Sequence, residues 1–336
     1  MNFFLLFIIS INILLLFFTF FYIEKISTKI NLIDDPRLKT TKIHSKPISN
    51  AGGVIVVCFL LNYIFVDFYL YNYEFDLFYK NFQKNFSIYI FILSFCFIGL
   101  ADDYFNISPK YRILAITIVS LIMILINNDL LVKEFFISSL NYNFVFNNNY
   151  LGIVFTLFCI IFLQNTFNMF DGINGSLLSI VLPVILILLF VQFSIFLFLS
   201  FIILIIILYF NLKNRIFLGN NGAFAISGLI SVFLILYHKE NSYLLSGDRM
   251  FLLLILPILD LCRLFIIRLK NKKNPFKGDL SHFHHIVLRK FKIKVWFPSV
   301  VIFVLCGYYL SFIINTLLVI FLATILYLII IYIYKT

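Results

Sequence analysis

Three of the chain's five histidines sit in one short stretch, DLSHFHHIVLRKFKIK, residues 279–294. Imidazoles gathered beside an acid and a run of lysines suit two chemistries, holding a metal or handling phosphate. His282, His284 and His285 have no cysteine and no HExxH partner nearby, so the zinc pattern is weak. Phosphate contact is the better reading, because imidazoles exchange hydrogen bonds with phosphate oxygens. Asp279, His282 and His285 follow an i, i+3, i+6 spacing, with His284 offset. A solvated loop is the bland alternative. His44, in an earlier basic loop, is a candidate to join the group, whereas His238 falls on the other side.

Carboxylates supply the complementary chemistry. Asp102 and Asp103 close an apolar run in GLADD. Paired acids at a membrane face are costly unless charge compensates them, and their hard oxygens suit Mg2+. A general-base role is the second use, and a solvated helix end the bland one. In NTFNMFDGINGS (165–176), Asn168, Asp171 and Asn174 are spaced to share one face if the segment is helical. Gly172 and Gly175 permit a turn, and a glycine turn at a helix start can hold phosphate through backbone N–H groups. An interhelical hydrogen-bond cluster would explain the same residues. LGNNGA (218–223), which carries Asn220, repeats that logic, and a plain turn explains it as well. In DLCRLFIIR, Arg263 reads as an i+3 partner of Asp260. Arg268 reads as a residue that snorkels or grips phosphate.

These residues need elements to hold them, and the composition says which. The chain is 62% hydrophobic and 12% charged, with a mean hydropathy of +1.05; soluble domains are about 25% charged. Apolar runs long enough to cross a bilayer recur throughout, and spans must be helical because lipid offers the backbone no partners. The expected fold is an all-α polytopic membrane protein, a single domain over residues 1–336 with about 10–11 transmembrane helices. The expected spans are 3–22, 52–70, 87–101, 112–127, 151–167, 177–192, 194–210, 223–238, 250–267, 296–312 and 314–333. The first lacks the flanks of a signal peptide. With the N-terminus outside and the C-terminus cytoplasmic, 21 of the 26 Lys and Arg fall inside, as the positive-inside rule requires. That rule accounts for the +11 net charge without nucleic acid. All the polar segments above then share the cytoplasmic face, as one active site needs. The five cysteines lie in apolar runs without CxxC spacing and read as small core hydrophobes. Segment 128–150 reads as an Asn-rich outer loop.

Carboxylates, glycine turns, histidines and excess cations on one membrane face are the inventory of metal-assisted phosphoryl-type transfer. In this setting the sequence resembles the polyprenyl-phosphate N-acetylhexosamine-1-phosphate transferases. The matching pieces are KPISNAGG, GLADD, NTFNMFDGINGS, LGNNGA and PFKGDLSHFHH, in the family's order. The resemblance implies transfer of an N-acetylhexosamine-1-phosphate, with N-acetylglucosamine as the default sugar, from a UDP-sugar to undecaprenyl phosphate. UMP is released, and the step opens cell-surface glycan synthesis of the O-antigen or teichoic type. It implies a bacterial plasma-membrane protein dependent on Mg2+, with Mn2+ as a substitute, among membrane lipids. A homodimer is compatible with it. Asp102, Asp103, Asp171 and His282 are the implied catalytic residues. Asp102, Asp103, Asp171 and Asn220 are the implied metal ligands. Lys46, Asn168, Asn174, Arg268, His284 and His285 are the implied substrate contacts.

Two departures matter. Asn174 and Asn220 stand where the family carries Asp, and at position 220 that Asp is a metal ligand. Asn keeps an oxygen but removes a charge. A catalytically degenerate member acting as a membrane scaffold is therefore the alternative. A transporter fits less well, since the span centres carry almost no ionisable groups. A CDP-alcohol phosphatidyltransferase would need further aspartates after Asp171, and GSLLSIVLPV has none.

Overall fold

A computed structural model of the chain describes residues 22–23, 25–29, 32–34, 47–70, 82–272, 274 and 281–335. Uninterrupted apolar runs with few breakers become helices here because each must satisfy its own backbone. In chain order they are α1 (Gly52–Leu70), α2 (Phe82–Phe105), α3 (Pro109–Ile126), α4 (Asn149–Phe170), α5 (Ser176–Val191), α6 (Ile195–Leu212) and α7 (Gly219–Glu240). The remainder are α8 (Gly247–Leu253), α9 (Ile255–Lys270), α10 (Phe283–Leu288), α11 (Ile293–Ile313) and α12 (Thr316–Lys335). Among the described residues, seven helices are long and apolar enough to span a membrane. The fold is an all-α polytopic membrane protein. Helices stand at ten of the eleven expected spans, α1 and α5 being shorter apolar ones. The expected span 3–22 lies outside the described residues.

One span differs from expectation. Residues 250–267 are not one straight helix, because α8 and α9 meet at a bend of 79°. Pro257 lies in the first turn of α9. Its missing N–H is tolerated there but could not continue a helix from α8.

The chain divides into two compact units. The first comprises residues up to Asn127 together with Ser194–Leu229. It holds α1, α2, α3, α6 and the first half of α7, plus a two-residue antiparallel pair, β1 (Ile33–Asp34) with β2 (Ile48–Ser49). Its core includes Phe59 and Tyr63 of α1, Tyr89 of α2 and Phe196 of α6, with Tyr63 and Phe196 centroids 4.7 Å apart. Asp67 is buried beside them and accepts a 2.8 Å bond from Tyr89.

The second unit comprises Asn128–Phe193 and Ile230 onward. In it α11 packs on α5, α9 on α4, and α10 on α12. Segment 128–150 contains a hairpin not anticipated from sequence, β3 (Glu134–Ile137) with β4 (Tyr142–Val145). Asp248 of α8 pins its turn, accepting bonds from the backbone N–H groups of Ser138 (3.1 Å) and Ser139 (2.8 Å). The cysteine expectation holds only in part: Cys96 is buried, but Cys262 and Cys306 are exposed.

Candidate active site

In the first unit, three sequence motifs meet at the start of α7. Asp102 and Asp103 occupy the last turn of α2. Asp103 accepts the backbone N–H of Asn220 on Oδ1 (3.1 Å) and that of Asn221 on Oδ2 (3.1 Å), with the Asn221 side-chain amide also on Oδ2 (2.5 Å). It therefore caps α7, taking two of the N–H groups that a helix start leaves without partners. Asp102, 4% exposed, accepts on Oδ2 from the Arg112 guanidinium (2.7 Å) and from the Asn220 side-chain amide (2.8 Å).

Glycines make this approach feasible. A Cβ on Gly53 would sit 1.9 Å from Asn221 Oδ1, one on Gly52 2.7 Å from the Leu218 Cα, and one on Gly99 2.5 Å from the Asn220 carbonyl. Gly219 has a φ of +68°, where a side chain is strained. Strand-like bonds complete the join: Phe217 N–H to Ser49 O at 2.7 Å and Gly52 N–H to Phe217 O at 3.0 Å. The glycines of KPISNAGG and GLADD are thus close-approach positions against LGNNGA. Asn221, absent from the expected site, is the residue that ties Asp103 to the Asn50 carbonyl (2.8 Å). Lys46, Asp279 and His44 lie outside the described residues.

A hard cation suits part of this set. Two carboxylates are adjacent, and Asp102 Oδ1 accepts no bond among the described residues, so a ligand position is open. Asn220 is different: the group it presents to Asp102 is its N–H donor.

In the second unit, NTFNMFDGINGS meets the histidine segment. The one-face expectation for Asn168, Asp171 and Asn174 is not met. Asn168 lies in the last turn of α4, Asp171 is its C-cap, and Asn174 belongs to the following turn. The helix stops because Gly172 opens a loop and Gly175 takes a φ of +78°. Ser176 fastens that loop through its hydroxyl to the Phe170 and Ile173 carbonyls, 2.7 Å each. Gly172 then lies against His284, whose Nε2 would be 2.2 Å from a Cβ at position 172.

The histidines are buried rather than solvated. His284 is 0% exposed, with its ring edge-on to Phe170 at 5.3 Å and nearly parallel to His282 at 5.4 Å. Neither of its nitrogens has a hydrogen-bond partner among the described residues. Burial holds the His284 imidazole well below the usual histidine range, and the adjacent His285 and His282 rings push the same way. Arg268, 3% exposed, brings its guanidinium to 3.4 Å from His282 Nε2.

Asp260 is buried here too, and Arg263 pairs with it at 2.7 Å as its spacing predicted. Asp260, His282 and His284 have donor atoms within 4.8 Å of one another. Two guanidiniums face this group, however, and fixed positive charge opposes a divalent cation. The cluster suits an anion or a polar donor–acceptor group better than a cation.

Residues 85–238 match the family described as glycosyl transferase family 4. Over that stretch, a little under half of its length, the chain is similar to that family. An undecaprenyl-phosphate alpha-N-acetylglucosaminyl 1-phosphate transferase of Escherichia coli is 28% identical over 288 residues, covering 80% of this chain and 72% of the relative. The Shigella flexneri protein of the same name is 27% identical over the same shares. That of Thermotoga maritima is 25% identical over 277 residues, 82% of this chain and 79% of the relative.

Proposed function

We propose that the protein transfers N-acetylhexosamine-1-phosphate from a UDP-sugar to undecaprenyl phosphate and releases UMP. N-acetylglucosamine is the first donor to test. The setting we propose is a bacterial plasma membrane with the site on the cytoplasmic face, the N-terminus outside and the C-terminus inside. The observation that carries the reading is the second unit's buried cluster of imidazoles with Arg268; a carboxylate pair braced at a helix start in the first unit supports it.

Asp102 and Asp103 would hold Mg2+; when bound, the ion would supply positive charge to the diphosphate. Arg268 would grip a phosphoryl oxygen, for which a guanidinium is well shaped. His284 and His285 would bond the donor, giving the unpartnered His284 nitrogens the partners they lack. Asn168 and Asn174 would border it, and His282 would handle the proton. An oxygen of the lipid phosphate forms the new bond to the β-phosphorus. The bond from that phosphorus to the bridging oxygen breaks, and the oxygen leaves on UMP.

One observation favours a second reading. Arg112 already neutralises Asp102 and the Asn220 amide bonds the same oxygen, as expected of a site that has retired from metal binding. UMP release by the purified protein, given Mg2+, undecaprenyl phosphate and a panel of UDP-N-acetylhexosamines, separates the two. Lipid-dependent UMP supports the transferase. Silence from the wild type, with release by Asn220→Asp, supports the retired site.

A further inference from the structure

The histidine pocket contains a carboxylate that belongs to none of the recognised motifs, and its bonding is uneven. Asp260 is 1% exposed. Its Oδ1 accepts three bonds: from the Arg263 guanidinium (2.7 Å), the Phe283 backbone N–H (3.0 Å) and the Tyr327 hydroxyl (3.1 Å). These donors come from α9, α10 and α12, so the carboxylate cannot turn without breaking bonds to three elements. Tyr327 is held in turn by Arg263 Nε at 2.9 Å. Among the described residues, Oδ2 accepts only from His282 Nδ1, at 3.0 Å. Across the same ring, Nε2 faces Arg268 at 3.4 Å.

An ionised carboxylate has no proton to give, and a guanidinium has no lone pair to offer. Only one form of the ring satisfies both neighbours: a proton on Nδ1 and a lone pair on Nε2. We propose that Asp260 is the positioning residue of His282, fixing that tautomer and aiming the basic Nε2 at the Arg268 guanidinium. A phosphate gripped by Arg268 would then meet a ready proton acceptor. The catalytic consequence rests on the transferase reading above; the tautomer does not. Among the described residues, the ionisable groups around the ring are Asp260, Arg263 and Arg268 of α9, Tyr327 of α12, and His284 and His285 of α10. This is the orienting logic by which a buried acid selects one imidazole nitrogen for chemistry.

The test is nitrogen NMR of the full-length protein in lipid bilayers, with labelled histidine imidazoles, at mildly alkaline pH. Subtracting the spectrum of His282→Gln isolates the His282 signals from those of the other four histidines. The expected result is a protonated Nδ1 and an unprotonated Nε2. Asp260→Asn should mix or reverse the two signals, because an amide can donate to Nδ1. It should lower kcat by about a hundredfold or more while moving KM for the UDP-sugar far less. Tyr327→Phe removes one bond from Oδ1 and should keep the tautomer. A protonated Nε2 in the wild type would overturn the proposal, and that spectrum decides even where Asp260→Asn does not fold. An unchanged His282 signal in folded Asp260→Asn would overturn it too. The expected tautomer with no UMP release from any form would support the positioning role and overturn the transferase reading.

Discussion

The two units hold their functional groups to different degrees. In the first unit, the functional acids are braced by donors, with Asp102 Oδ1 left open among the described residues. Asp103 takes three bonds from the start of α7, Asp102 takes two, and the orphaned buried atoms nearby, among the described residues, are Ser49 Oγ, Asn221 Oδ1 and Arg112 Nε. In the second unit, the orphans include functional atoms, both nitrogens of His284 within the histidine cluster. Leaving a buried polar group without a partner costs about 1–3 kcal/mol. The first half is therefore built for rigidity. The second carries a cost that a ligand with matching hydrogen bonds would remove.

That contrast can be broken, most drastically at Asp103 and His282. Both Asp103→Ala and His282→Ala should lower UMP release by about a hundredfold or more. Asp103→Ala should also cost about 1 kcal/mol of stability for the lost helix cap, and His282→Ala about 1–3 kcal/mol for the partner taken from Asp260, both read as a fall in Tm. An unchanged Tm in Asp103→Ala would contradict the capping role of that carboxylate.

A matched pair of glycine substitutions is the next test. The Cβ of Gly53→Ala would strike Asn221, including its backbone at 2.5 Å, whereas that of Gly172→Ala would strike the His284 ring. Backbone cannot retreat as a side chain can. Gly53→Ala should cost about 1–3 kcal/mol of stability, measured by thermal unfolding. Gly172→Ala should mainly raise KM for the UDP-sugar. Reversal of that pattern would contradict the assignment of rigidity to one half and ligand contact to the other.

Asn220→Asp sharpens the comparison by unsettling the braced half. It replaces an N–H donor to Asp102 with a third carboxylate. Stability without Mg2+ should fall by about 1–3 kcal/mol and recover when Mg2+ is added. A Tm indifferent to Mg2+ would mean that position 220 is not at a metal.

The smallest effect expected concerns pH. His284 is held neutral by burial, so its folded form binds protons less readily than its unfolded form. Unfolding then takes up a proton as pH falls below about 6.5, and stability should decline from there downward. His284→Met should flatten that decline in a series of thermal melts. An equally steep decline in the variant would remove His284 as its source.

Much of this architecture is legible in the residues. Long apolar runs announced the helices, and the order of the motifs announced the resemblance to the transferases. GLADD with LGNNGA, and DGING with the HFHH segment, each proved to be packed partners. What stayed hidden was hidden for physical reasons. Asp260 three residues before Arg263 looks like a local ion pair, and it is one. Nothing in that spacing reveals His282, Phe283 and Tyr327 closing on the same carboxylate from far along the chain. Asn221 is masked by its neighbour and by a composition rich in asparagine. The spacing of Asn168, Asp171 and Asn174 suggested a helical face because glycines at 172 and 175 were read as permissive rather than terminating. The hairpin at Glu134–Val145 has strands of only four residues, too short for an alternation to stand out.

The account's central claim is that a phosphoryl group moves together with the sugar. The measurement that reaches it most directly uses a UDP-sugar carrying radiophosphorus at the β position, with undecaprenyl phosphate and Mg2+. The account predicts label in the lipid fraction and unlabelled UMP in the aqueous one. Label retained in water as UDP, with the sugar alone on the lipid, would contradict it.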